Sequence, residues 1–351
     1  MAGLQLLAGP SALTQLREQG LQPQLFSQML AASGGPKFLG LAKLDDYLFS
    51  DFFNDRTTPL HTLGSSSGAW RLACLAQNDS RSAYNRLVDA YIDQSYSARP
   101  SRQEVTCKVN SLVSHFLGDN GASEIINNPF IHHHIVVCRA KHLNASRHKS
   151  LQALGLSFAA MTNLVHRRLL NHSFERVLVS PPQHEYQAFS QVDDLNSIQA
   201  HYHGDNLNQV LLASGSIPLL LDGVRGIKHL PAGQYFDGGI SDYHFKLKLA
   251  LAEGLTLYPH FYPHMSPGWF DKSLPWRRHA KAFDRALVLA PSRKFIERLP
   301  LHKLPDRTDF SQLDTATRLR YWRQSVTQSQ QLADEFHEAV TQQKFSIKPL
   351  F

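Results

Sequence analysis

Apolar residues in this chain gather in short runs, and the runs alternate with stretches where apolar positions recur every three or four residues. Residues 25–32 (LFSQMLAA) form one such run, which predicts a strand ending at the turn Ser33-Gly34-Gly35-Pro36. Phe38 to Phe49 follows with Leu39, Leu41, Leu44, Tyr47 and Leu48 near one face, the spacing of an amphipathic helix. A second strand is predicted over 59–63, then Gly64-Ser65-Ser66-Ser67-Gly68, then a helix over 69–77. Residues 81–118 read as mostly helical. Phe130 to Cys138 is rich in Ile and Val and predicts a strand. A helix over 150–171 and a strand over 176–179 come next, the latter stopped by Pro181-Pro182. A helix over 205–214 is expected to be capped by Asp205. Strands over 255–262 and 286–290 and a long helical pattern over 311–343 complete the series.

Strands alternating with helices predict an α/β fold in three layers, a mostly parallel central sheet with helices on both faces. Sites in such folds gather at the carboxyl ends of strands, where both glycine-flanked turns fall. No linker divides the 351 residues, so one domain is expected over 1–351. Its motif-bearing core runs from about 25 to 290, with a C-terminal helical extension at about 305–345. In that extension Leu313, Ala316, Leu319, Trp322, Val326, Leu332, Phe336 and Val340 recur at helical spacing and are expected to pack against the domain.

Charge narrows the partners. The formal net charge is +7 and the pI about 9.3, which favours anionic partners. The Lys and Arg residues are dispersed and no nucleic-acid motif accompanies them, so nucleic acid is not expected as a partner. Three cysteines, Cys74, Cys107 and Cys138, fit a reducing compartment rather than a disulfide framework. The N-terminus lacks the basic start and apolar core of a secretory signal, and no apolar run reaches membrane-spanning length. A cytoplasmic protein is expected, with any membrane contact peripheral.

Three short motifs carry chemistry. Gly64-Ser65-Ser66-Ser67-Gly68 fits G-x-S-x-G, in which a nucleophilic serine stands at a tight strand-to-helix turn flanked by small residues. The helix that follows points its positive end at the site, favouring a developing oxyanion. The alternative for this segment is a serine-rich loop capping that helix. Ser33-Gly34-Gly35-Pro36-Lys37 offers the main-chain amides of Gly34 and Gly35 as oxyanion donors, with Lys37 adding positive potential; its alternative is a plain strand-to-helix connection. Asp237-Gly238-Gly239 sets a carboxylate in a glycine turn, free to approach another loop. Burial raises a carboxyl above its usual pKa of about 3.9 and makes it a better base. Asp-Gly is also a common hairpin turn. None of His201, His203, His229, His244, His260 and His264 stands in a context that marks it as a base. His132-His133-His134 on a strand places only His132 and His134 on one face, with no third ligand at useful spacing, so no metal is expected.

In this order the three motifs resemble the patatin-like phospholipases. Residues 213–218 (ASGSIP) add a fourth likeness, the small-residue segment ending in proline upstream of that family's aspartate. The resemblance covers about 25–76 and 207–245. It implies the family's three-layer α/β/α fold and a Ser-Asp dyad without histidine. Ser66 matches the nucleophile and Asp237 the base. Gly34, Gly35 and the amide of Ser67 match the oxyanion hole, and Lys37, Gly64, Gly68 and Gly238 support it. The implied activity is hydrolysis of fatty acyl esters of phospholipid or lysophospholipid through an acyl-enzyme, with no cofactor. Pro36 stands where the family carries a third glycine and removes one amide donor. Two other readings stand beside this one: a serine esterase pairing Ser66 with a histidine, and a catalytically weak lipid-binding protein.

Residues 258–270 are aromatic and proline-rich. Residues 272–283 set Trp276 among Lys272, Arg277, Arg278 and Lys281. This composition is compatible with peripheral contact with anionic membrane, and a surface loop with a few packed rings is the reading favoured over it.

Overall fold

A computed structural model describes residues 2–184, 189, 194–246 and 253–351. Its strands are β1 (Leu4–Ala8), β2 (Phe26–Ala31), β3 (Leu60–Ser65), β4 (Ile131–Ala140), β5 (Phe174–Ser180), β6 (Ser197–His201), β7 (Val224–Arg225), β8 (Gln234–Asp237), β9 (Leu255–Pro259), β10 (Ala286–Pro291) and β11 (Ile347–Pro349). They form one sheet with the central order β11-β1-β10-β9-β2-β3-β4-β5-β6. The run from β10 through β4 is parallel, as the buried, near-continuous apolar strands require. Antiparallel pairs join β1 to β10 and β4 to β5. Helices flank this sheet, so the fold is the expected three-layer α/β/α arrangement.

The helices of the first half are α1 (Pro10–Gln19), α2 (Ala42–Tyr47), α3 (Ser67–Leu75), α4 (Ser80–Ile92), α5 (Arg102–Leu117), α6 (Gly121–Asn127) and α7 (Lys149–Val165). The segment predicted as one helix over 38–49 is composite. It starts as 3-10 turns over Gly35–Leu41, becomes α2, and widens to a π turn over Leu48–Phe52. The helix predicted over 150–171 ends at Val165 and continues as 3-10 turns over Arg167–His172. Asp205 does not cap the helix Leu207–Ser214. It lies one residue too early, and its carboxylate is drawn outward to Lys228 Nζ at 3.0 Å. The long pattern over 311–343 divides into a short turn, Asp309–Gln312, and the helices Thr315–Gln328 and Gln330–Gln342. The break falls at Ser329, whose hydroxyl accepts from the Lys43 amide and so ties the C-terminal pair to α2.

One apolar core runs from Leu4 to Ala339. It includes Phe26, Leu30, Leu63, Leu72, Val137, Leu257 and Leu289 from the sheet and α3, and Trp322, Leu332 and Phe336 from the C-terminal helices. The C-terminal segment thus completes the domain core. Strands β1, β6, β7, β8 and β11 lie outside the sequence reading; none exceeds five residues, which leaves little pattern to register. A smaller cluster beyond β4 holds Cys138, Leu156, Ala159, Leu170, Phe174 and Phe236 beneath α7. Among the described residues, no helix is long and apolar enough to cross a membrane.

Candidate active site

Strand β4 determines where the two motif loops meet. Along one edge its first half pairs parallel with β3, ending at Ser65 opposite Val136. On the next residue that edge changes partner, and β8 runs antiparallel from Asp237 opposite Val137. Two strands of opposite direction therefore end nose to nose on one edge of β4. The residue after β3 is Ser66 and the last of β8 is Asp237. Their side chains meet, with Ser66 Oγ donating to Asp237 Oδ2 at 2.8 Å.

Ser66 sits at φ 56° and ψ −131°, a region that side-chain-bearing residues rarely occupy and that costs on the order of 1–3 kcal/mol. Such strain is characteristic of a nucleophile turn and holds the hydroxyl out from the backbone. The Ser66 amide donates to Ser214 Oγ at 3.0 Å, and Ser214 Oγ donates to Val136 O at 2.8 Å. The small-residue segment is thus wedged between the elbow and β4. Gly64 and Gly68 flank the serine because two backbones come close there. A Cβ on Gly64 would stand 2.4 Å from Ala69 Cα, and one on Gly68 would stand 2.0 Å from Ala31 O at the end of β2. The crowding at Gly68 comes from β2, which locks the glycine turn against α3.

Asp237 is buried, and burial raises its pKa. The Ser66 hydrogen bond, the nearby Arg307 cation and the Gly239 amide oppose that shift without reversing it. Gly239 N donates to Asp237 Oδ1 at 2.7 Å, so each carboxylate oxygen has one fixed donor. Gly238 passes between Val136 O and Ser65 Oγ. The turn is clamped from below by charge. Arg176 Nε and Nη2 bond both oxygens of Asp242 at 2.6 and 2.9 Å, and Arg167 Nη2 donates to Ser241 O at 2.5 Å. Both arginines also grip Asp194. A second buried pair stands on the other side, where Arg71 of α3 bonds Asp45 twice at 2.7 Å and Tyr84 donates to the same carboxylate at 2.6 Å.

Two adjoining cavities open on the dyad and share Ile217 and Arg307 as a wall. The larger, about 520 Å³, holds Gly35, Ser66 and Ser67 and is walled by Trp70, Tyr91, Val105, Val109, Leu221 and Phe310. The smaller, about 280 Å³, holds Gly34 and Asp237 together with Lys37, Lys272 and Arg307. Ser67 is the first residue of α3, where no preceding helical carbonyl is available to accept its amide. Gly35, at φ +57°, opens the 3-10 turns in the same way, and Pro36 follows it inside the turn. The glycine turn therefore divides, Gly35 facing the serine side and Gly34 the carboxylate side.

Lys37 bonds Asp306 at 3.3 Å, which balances part of its charge. Loss of hydration in the pocket, with Lys37 and Arg307 close by, pushes the Lys272 ammonium down to about 8. Its Nζ rests 4.5 Å from the Tyr243 ring centre. Ser214, Lys272 and Arg307 were not singled out for the site from sequence. Ser214 lay inside the small-residue segment and was the one that a motif could have flagged; Lys272 and Arg307 sit in ordinary basic contexts.

Among the described residues no imidazole lines either cavity. His132, His133 and His134 face other partners: His133 Nδ1 meets Thr62 Oγ1 at 2.9 Å, and His134 meets Ser180 Oγ at 2.8 Å. Among the described residues no cluster of three His, Cys, Asp or Glu side chains could hold a metal ion. Of the segment over 258–270, Tyr258, His260, Phe261 and Met265 are buried, so this half packs inward. Trp276 in the second half is 69% exposed. No family model matches the chain, and no curated protein matches it.

Proposed function

We propose that the protein is a lipid acyl hydrolase of the patatin-like type, acting through a Ser66–Asp237 dyad. The observation that carries this reading is the 2.8 Å hydrogen bond from a strained, buried serine hydroxyl to a carboxylate of raised pKa. Asp237 takes the hydroxyl proton as Ser66 Oγ attacks the ester carbonyl. The amides of Gly35 and Ser67, at the starts of two helical segments, supply donors for the oxyanion. The alcohol leaves with the proton held by Asp237, and water then releases the fatty acid from the acyl-enzyme.

The two cavities support an amphipathic ester. The larger has the apolar walls an acyl chain requires. The smaller gathers three cations against Asp306 and the dyad carboxylate. Three cations gathered in a pocket where loss of hydration, and then Lys37 and Arg307, lower Lys272 favour an anionic group on the alcohol side, the phosphate of a phospholipid or lysophospholipid. Among the described residues a Ser-His esterase has no imidazole lining either cavity, which favours the dyad over that alternative.

The test is labelling by a fluorophosphonate probe together with turnover of a p-nitrophenyl acyl ester. Wild type is labelled and active. Ser66→Ala abolishes both, and Asp237→Asn lowers turnover by at least about a hundredfold. Full turnover in either variant overturns the assignment.

A further inference from the structure

Helix α7 is amphipathic in the opposite sense from an ordinary surface helix. Its inward face carries Gln152, Gly155, Leu156, Ala159 and Asn163, a mostly small or polar set. Its outward face carries Leu151, Leu154, Phe158, Met161, Leu164 and Val165, exposed by 42, 59, 50, 62, 55 and 76%. Leu151, Leu154, Phe158, Met161 and Leu164 recur three or four residues apart, with Val165 beside the last, and form one stripe along the helix. A run of large apolar side chains turned to solvent is costly unless something covers it.

The inward polar residues hold the helix in this orientation. Gln152 Oε1 accepts from the Leu219 amide at 3.1 Å, and Asn163 Nδ2 donates to Asp271 Oδ1 at 2.8 Å. Both are buried, so rolling the helix to hide its apolar stripe would break them and strand the polar groups. The same two contacts join α7 to the candidate active site. Leu219 adjoins Leu220, a wall residue of the larger cavity, and Asp271 closes the turn from Trp269, which lines the smaller one.

Charge identifies the occupant. Residues 141–174 contain Lys141, Arg147, Lys149, Arg167 and Arg168 and neither Asp nor Glu. Exposed Arg147 and Lys149 stand at the start of the helix and exposed Arg168 just past its end. Arg277 donates to Asn163 O and Leu164 O, which brings its exposed neighbours Trp276 and Arg278 to that same end. A second copy of the chain docked on this stripe would oppose basic ends to basic ends in either orientation. An anionic lipid surface satisfies both the stripe and its rim, and an indole at the edge suits the headgroup level.

We propose that α7, with Trp276 at its edge, is the surface by which this protein lies on an anionic lipid bilayer. The docking needs no chemistry at Ser66, so it stands or falls apart from the hydrolase reading. The test is co-sedimentation of the full chain with equimolar vesicles of ether-linked phosphatidylserine and phosphatidylcholine, which offer no acyl ester. The wild type binds, and binding weakens as salt rises. The triple variant L154S/F158S/M161S binds at least about tenfold more weakly. Because these side chains face outward, the variant keeps the wild-type circular dichroism spectrum and turns over a soluble short-chain p-nitrophenyl ester at the wild-type rate. Undiminished vesicle binding by the folded triple variant overturns the proposal. So does a wild-type dimer, seen by sedimentation velocity, that the triple variant converts to monomer with no vesicle binding in either form.

Discussion

Ser214 and Ser66 share a hydrogen bond of 3.0 Å in which the serine of the small-residue segment accepts the amide of the serine at the elbow. Ser214 Oγ in turn donates a hydrogen bond to Val136 O, so the strained turn is tied directly to the strand that organises the site. Ser214→Ala leaves a buried amide and a buried carbonyl each short of a partner. The expected cost is about 1–3 kcal/mol of stability. Turnover falls because the Ser66 backbone relaxes, while KM changes little since Ser214 lines neither cavity. Urea unfolding and steady-state kinetics of the variant check both parts.

Asp237 has to be ionised to accept the Ser66 proton. Burial raises its pKa above the ordinary 3.8, so the carboxylate form is lost at a higher pH than for a free aspartate. The kcat/KM profile for a neutral ester should therefore rise with pH through a single acid limb whose midpoint lies above 3.8. A midpoint at or below that value would argue against Asp237 as the base.

Lys272, pushed down to about 8, loses its charge just above neutral pH. With a phosphate-bearing substrate, kcat/KM should decline above about pH 8, and with an uncharged p-nitrophenyl ester it should not. Lys272→Ala should raise KM for a lysophospholipid by about tenfold, the value of one charge-assisted contact, and leave the neutral ester within about twofold. Equal effects on the two substrates would remove the phosphate from the reading.

Six imidazoles bear on stability, five of them buried and His61 half-buried. His61 and His132 are held down to about 4, and His133 and His260 to about 3. His134 and His244 lie well below 6.5. Loss of hydration is the main cause at each, with neighbouring imidazoles adding to it at His61, His132, His134, His244 and His260. A lowered folded-state pKa means that the unfolded chain binds the extra protons. The stability these groups contribute is therefore present above pH 6.5 and lost as pH falls toward 4 and below. Each adds a slope of up to about 1.4 kcal/mol per pH unit. Urea midpoints measured from neutral pH to about pH 5 should fall steeply; a flat response would show that the imidazoles are hydrated.

Local chemistry was legible along the chain. The turn at Gly34-Gly35, the elbow at Ser66 and the Asp237 turn each depend on residues a few positions apart, and the first two lie at the strand ends where they were expected. The strands over 26–31, 131–140 and 286–291 declared themselves through short runs rich in apolar residues, and that over 60–65 through its place before the elbow. Where a pattern depended on partners it misled. Asp205 turned to Lys228 instead of the helix.

What only the tertiary structure decided was adjacency. Ser66 and Asp237 stand 171 positions apart, and no local signal states that β4 exchanges β3 for β8 between Val136 and Val137. Lys272 and Arg307 join the dyad by the same long-range closure, and α7 shows an apolar stripe that in sequence looks like any buried face. Hydropathy records which residues water disfavours. Which of them the fold covers depends on strand pairing and on buried polar anchors such as Gln152 and Asn163, whose partners lie far along the chain.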